Sequence, residues 1–139
     1  MLTWCEDYTI HIPSIDNEHK VLLSMLNDIE QLFPLEAPIQ IPLAIAALDR
    51  FAAAVQRHFE SEERFLLFNN YPDLAAHQAE HLQLLERMER FRKRFSEERK
   101  PFNERMLLFL RDWFARHLIL YDSRIGTYYR GKETIDRFG

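Results

Sequence analysis

The chain has 139 residues, with 18 Lys and Arg against 22 Asp and Glu, giving a formal charge of −4. That length suits one domain, residues 1–139 as a whole, and a hydrophobic content of 47% supports a substantial core and excludes the disordered class. The acid excess argues against nucleic acid as a partner, because the densest basic stretch, Arg87 to Lys100, is interleaved with Glu86, Glu89, Glu97 and Glu98 and reads as a solvated helix end.

Gly126, Gly131 and Gly139 are the only glycines, so no Gly-rich phosphate loop precedes them and nucleotide chemistry of that type is excluded. Cys5 stands alone, which removes intrachain disulfides and thiolate metal clusters. The opening residues lack the charged and apolar regions of a signal peptide, and the apolar run Ile39 to Val55 is broken by Asp49 and Arg50. No membrane insertion and a cytoplasmic location are expected.

The predicted elements are helices. Leu22, Leu23, Leu26, Ile29 and Phe33 recur at three- and four-residue steps, which predicts a first helix from Asp16, as its cap, to Phe33 before Pro34. A second begins with Pro42 in its first turn and carries Phe51, Val55, Phe65 and Leu66 to the Asn69–Asn70 turn. Pro72 opens a third with Leu74, Leu84, Met88, Phe91 and Phe95, which ends before Pro101. The fourth carries Met106, Leu110, Trp113 and Leu120 and stops near Tyr121 or Asp122, where Gly126 permits a turn. Short connections favour an all-α, up-down-up-down antiparallel four-helix bundle, with residues 1–15 and 123–139 as arms.

Five of the six histidines lie on the inner stripes. His19 accompanies Leu22 and Leu26, and His58 follows Val55 with Glu62 four residues on. His77 and His81 lie between Leu74 and Leu84, and His117 follows Trp113, with Asp122 five residues further. A single stripe histidine is ordinarily a hydrogen-bonded core residue. Five with two carboxylates are different, since each unsatisfied buried polar group costs about 1–3 kcal/mol and metal coordination satisfies all of them together. Glu63, rotated about 100° from Glu62, is expected to face solvent.

Seven ligands exceed one ion. Imidazole suits zinc, copper, iron and nickel, and bridging carboxylates point to a pair of octahedral ions, with iron the natural candidate. If Glu62, Asp122 and a solvent-derived oxo or hydroxo group bridge both ions, five histidines divide three and two, and the two-histidine ion keeps one open position. One feature resists a regular helix. Five residues rotate about 500°, leaving Asp122 about 140° from His117. The spacing therefore predicts a π-type turn near Leu118 to Asp122, a local widening common at functional sites.

Trp4 and Tyr8 ahead of IDNEHK (15–20), with HFESEE (58–63), YPDLAAHQAEH (71–81) and WFARHLILYD (113–122), resemble the hemerythrin family, and within it the single-domain bacteriohemerythrins, over positions 4 to 122. The resemblance implies two irons: His77, His81 and His117 on a closed one, His19 and His58 on an open one, and Glu62 and Asp122 bridging. It implies that dioxygen binds the open iron, takes two electrons from the diferrous pair and the proton of the bridging hydroxide to sit as a hydroperoxide on a diferric centre, and is released by the reverse. Trp113 and Leu118 are candidate walls of a dry oxygen pocket. Position 11 commonly holds glycine in this family and here is His11, which reads as a surface or loop residue, with an accessory role near the open iron or in a proton path as the alternative.

Reversible dioxygen binding for storage, delivery or sensing is the leading reading, with a non-enzymatic role. A di-iron redox enzyme acting on peroxide or nitric oxide is one alternative, although no Glu-x-x-His motif of the ferritin-like oxidases occurs here. An oxygen-sensing module that docks on a partner protein is the other.

Overall fold

The computed structural model describes residues 2–136. Its first helix, α1, runs Pro13–Glu30, three residues ahead of the expected start, because Pro13 at the first helical position has no N–H to leave unpaired. Asp16 does not cap this helix. Its carboxylate accepts from Thr9 Oγ1 at 2.6 Å, from the Ile10 N–H at 2.9 Å and from the His11 N–H at 3.1 Å, and so ties the incoming arm to the first turn. The arm itself contains a short 3-10 turn, Glu6–Tyr8.

Helix α2, Ala37–Phe68, begins earlier than Pro42 predicts, with Pro38 in the first turn and Pro42 inside. The missing Pro42 N–H would have bonded the carbonyl of Pro38, at an exposed end of the helix where water can take its place. Buried Gln40 braces this end: its amide donates to the carbonyl of Leu32 at 3.2 Å and its Oε1 accepts from the Phe102 N–H at 2.7 Å. By length and hydropathy alone α2 could cross a membrane, which the break at Asp49 and Arg50 did not lead us to expect. Its inner face nevertheless packs Leu48, Phe51, Val55 and Phe59 into the bundle.

Helix α3, Leu74–Glu98, starts two residues after Pro72 and ends on Arg99, which is left-handed at φ 52°. Asn103 caps α4, Glu104–Ala115, by accepting from the Met106 N–H at 2.9 Å. The chain then widens into a π-helix over Arg116–Asp122, two residues broader on its N-terminal side than the spacing predicts. It does not stop there. A fifth helix, α5, continues from Ser123 to Tyr129 and buries Ile125 and Tyr129, so the expected C-terminal arm is half helix. Gly126 makes no turn. It lies where the N-terminal arm crosses α5, and a Cβ there would sit 3.0 Å from Ile10 Cβ and 3.1 Å from Ile10 Cα.

Contacts show every neighbouring pair running antiparallel. Leu32 meets Gln40 while Glu18 meets His58, Asp49 meets Arg92 while Glu63 meets His81, and Phe91 meets Phe109 while Glu80 meets Arg124. Helix α4 closes the ring on α1 through Arg111 and Glu30 at 2.8 Å. The main core fills the bundle from Leu26 and Ile29 to Trp113 and Leu118. A smaller cluster of Ile10, Ile12, Ile15, Phe65, Leu66, Tyr71, Ile125 and Tyr129 closes the end where the arm meets α5. The polar stripe residues lie between the two.

Candidate metal centre

All seven residues expected on the inner stripes converge in the interior. His19, Glu62, His117 and Asp122 have no measurable exposure, and His58, His77 and His81 are no more than 3% exposed. Their ligand atoms form two groups, each within 4.8 Å: His19, His58, Glu62, His117 and Asp122 in one, and Glu62, His77, His81 and Asp122 in the other. Glu62 and Asp122 belong to both, which is the placement two bridging carboxylates require.

The π-helix brings this about. Asp122 Oδ2 lies 2.8 Å from His117 Nε2 on its own element and 2.8 Å from His19 Nε2 on α1, and Oδ1 lies 3.2 Å from His77 Nε2 on α3. On α2, Glu62 Oε1 is 2.6 Å from His77 Nε2 and 3.0 Å from His81 Nε2, while Oε2 is 3.3 Å from His58 Nε2. Resemblance would place His117 with His77 and His81. The geometry instead gathers it with His19 and His58, its Nε2 3.2 Å from that of His58.

Outside this centre, carboxylates hold two of the rings. His58 donates its Nδ1–H to Glu18 at 2.6 Å, and Ser61 donates to the other Glu18 oxygen at 3.0 Å. His81 donates its Nδ1–H to Glu63 at 2.9 Å, so Glu63 does not simply face solvent as its rotation suggested. With Nδ1 protonated toward these acceptors, each Nε2 points inward, the orientation that carboxylate–histidine pairs impose at metal sites. Phe59 stacks on the His81 ring at 3.8 Å with an interplanar angle of 4°, fixing its plane.

Sequence reasoning does not reach Glu18 and Glu63 as functional residues; only their edge positions are legible there, not the rings they hold. Glu18 precedes His19 and Glu63 follows Glu62, so each sits about 100° off the inner stripe, at the edge that faces a neighbouring helix. Glu80, before His81, occupies a similar edge but reaches His77 Nδ1 only at 3.6 Å and pairs with Arg124 at 2.9 Å.

Electrostatics describe a centre organised for cations. Burial pulls the pKa of His58 down, yet Glu18 and Glu62 outweigh it and hold it up to about 10. His77 behaves likewise, with Asp122 and Glu62 raising it to about 10 against its burial. Burial dominates at His117, whose pKa falls to about 4. Glu62 stays ionised well below the usual carboxylate range, its burial overcome by four surrounding histidines. Even so, both Asp122 oxygens, Glu62 Oε2 and both His19 nitrogens are buried without a well-directed hydrogen bond among the described residues. Orphaned donors at these short separations fit a bound cation, which needs convergent lone pairs rather than hydrogen-bond angles.

The sequence of residues 11–126 matches the family model described as the hemerythrin HHE cation binding domain. The chain belongs to the hemerythrin family. It is 28% identical over 127 residues to the bacteriohemerythrin of Methylococcus capsulatus, covering 91% of this chain and 95% of that protein. The bacteriohemerythrin of Clostridium acetobutylicum is likewise 28% identical, over 88% of this chain and 96% of its own length. A crystal structure of wild-type hemerythrin superposes with a TM-score of 0.81 at 26% identity, over 91% of this chain and 96% of that one. These relatives are named as hemerythrins, not as enzymes. The bundle read from the residues is thus the fold of this family, and the cluster of five histidines and two acids lies within the residues that its model matches.

His11, where the resemblance leads one to expect glycine, has φ 61°, the left-handed region glycine adopts without strain. Its side chain is exposed at the arm, and it is not among the cluster residues. Trp113 is fully buried, donates its indole N–H to the Leu84 carbonyl at 3.0 Å and lies 6.5 Å from the His117 ring. Leu118 is fully buried in the main core.

Proposed function

We propose that this chain binds dioxygen reversibly at a non-haem centre of two iron ions. The observation that carries the reading is the sharing of Glu62 and Asp122 between two groups of histidine nitrogens. Two ferrous ions bound there, bridged by an oxo or hydroxo group, would supply the two electrons that hold dioxygen reversibly.

The chain's own residues do the rest. Glu62 and Asp122 hold the pair together from α2 and the π-helix. With His117 in either group, one half of the cluster offers three histidines and the other two, so the halves would hold their ions unequally and leave room for a small ligand at the two-histidine half. Glu18 and Glu63 keep the rings of His58 and His81 aimed inward. Trp113, Leu118 and Phe59 keep water from the centre, which slows irreversible oxidation. The absence of a Glu-x-x-His pair supports a binding role over oxygen activation.

The test is to load the protein with ferrous iron without air, admit oxygen, record the visible spectrum and strip the oxygen under argon. A charge-transfer band that appears and vanishes over repeated cycles is expected. Irreversible oxidation in a single pass would refute the carrier reading and favour redox turnover of peroxide or nitric oxide.

A further inference from the structure

The bundle carries a second feature that the metal centre does not use. In the groove between α3 and α4, Phe91 and Phe109 stack with ring centroids 4.7 Å apart and planes 14° apart, and both remain half-exposed. The guanidinium of Arg87 lies 5.7 Å over the Phe109 ring. With Arg90, Lys93 and Arg94 it walls a groove of about 590 Å³ in which Glu97 is the one acid. Arg94 is paired with Glu98 at 2.9 Å, whereas Arg87, Arg90 and Lys93 form no ion pair among the described residues. The groove runs on past Phe109 to Arg105 and Met106.

Three free cations and the Glu98-paired Arg94 against Glu97, on a chain whose net charge is −4, give this face an excess of positive charge beside a half-exposed aromatic pair. Other grooves lack that combination: the one beside α5 carries Arg130 and Lys132 without an acid, but its lining holds no stacked aromatic pair. Between α2 and α3, Arg92 is neutralised by Asp49 and Glu89. Between α1 and α2, Arg57 and Arg64 flank Glu18.

We propose that the α3–α4 groove docks an acidic segment of another protein, one with an aromatic or apolar side chain set among its carboxylates. Its anions meet Arg90 and Lys93, and its ring lies against the Phe91–Phe109 pair, with the cation–π and charge-assisted contacts such interfaces favour. A short segment fits better than a long polyanion, because the free cations span only Arg87 to Lys93, about 9 Å of α3, with Glu86 before them and Glu97 beyond. The position suits a partner that responds to the centre without covering it. Arg87 is six residues from His81, about 9 Å along α3, and Phe109 is eight residues from His117, about 12 Å along the helix axis, with Trp113 between them. The inference stands on the groove alone and does not depend on dioxygen being the ligand.

Fluorescence anisotropy tests it on the full chain, both iron-loaded and metal-free, with a labelled decapeptide of Glu and Asp carrying one central Trp. Saturable binding is expected, weakened by salt and lowered about tenfold by Arg90→Glu with Lys93→Glu, two exposed positions that leave the core intact. Replacing the central Trp by Gly in the peptide should weaken binding to the unchanged protein at least several-fold. The equal charge reversal at Arg57 and Arg64 should leave it within about twofold. An equal loss from both reversals would show net charge alone at work and overturn the proposal. So would binding indifferent to the Trp, or tighter binding to duplex DNA or phosphatidylglycerol vesicles that the Arg90 and Lys93 reversal abolishes.

Discussion

Removing the Glu18 carboxylate should weaken iron binding without unfolding the bundle. Glu18 accepts the His58 Nδ1–H at 2.6 Å and is itself held by Ser61, so it sets both the tautomer and the direction of a ligand ring. Losing such an outer partner costs about 10- to 100-fold in metal affinity, which is about 1.4–2.7 kcal/mol. The structure places Glu18→Ala at the low end, about tenfold, because its side chain is 25% exposed in a cleft of about 360 Å³ where water can take over the donor. Glu63→Ala should match it, since Glu63 holds His81 at 2.9 Å and is 27% exposed. Glu80→Ala should fall within about twofold of the parent, because 3.6 Å is beyond hydrogen-bond reach. Anaerobic competition against a chelator of known iron affinity reads all three, with far-UV circular dichroism confirming the fold. Glu18→Ala binding as tightly as the parent, or Glu80→Ala as weakly as Glu63→Ala, would refute the orienting role.

Gly126→Ala exchanges a helix-propensity gain of up to about 1 kcal/mol for an overlap with backbone that Asp16 holds in place. With overpacking typically costing about 1–3 kcal/mol, thermal unfolding should show a net loss of about 1 kcal/mol, and an unchanged melting temperature would mean the arm yields freely. His11→Gly should relieve left-handed strain of about 1–2 kcal/mol against a chain-entropy cost of about 0.5–1 kcal/mol, leaving a small gain in stability. Oxygen release and autoxidation should be unchanged, and a shift in either would give the imidazole a role in the centre. The metal-free protein should lose stability as pH rises from 6.5 through about 10, since His58 and His77 have folded pKa values raised above the ordinary 6.5 and favour folding most while protonated. The low pKa of His117 acts with opposite sign, but only between about 4 and 6.5, and the depressed acids Glu62 and Asp122 lose their contribution only toward acid. Metal held on those nitrogens keeps protons off them in the folded state, so the metal-free protein should melt lower at pH 9.5 than at pH 6, whereas the loaded protein should melt no lower at pH 9.5, because there only the unfolded histidines take up protons near pH 6.

Which side of each helix faces inward was legible in the sequence alone, because a stripe at three- and four-residue steps is a local property of one helix. The four main helices and the seven residues that cluster follow from that, and so does the π-helix, since His117 and Asp122 are five residues apart and cannot share a face on regular α-geometry. Tertiary structure decided everything that depends on how one helix sits against another. Glu18 serves a histidine on α2 and Glu63 one on α3, and neither pairing can be read from a single helix whose neighbour's height and rotation are unknown. The ends were decided the same way. Asp16 catches the arm just ahead of α1 instead of capping the helix, and Gly126 admits that same arm instead of turning, because both answer to a segment whose path no helical periodicity fixes. Periodicity specifies the angle of a side chain about its own axis, and only packing specifies what it meets there.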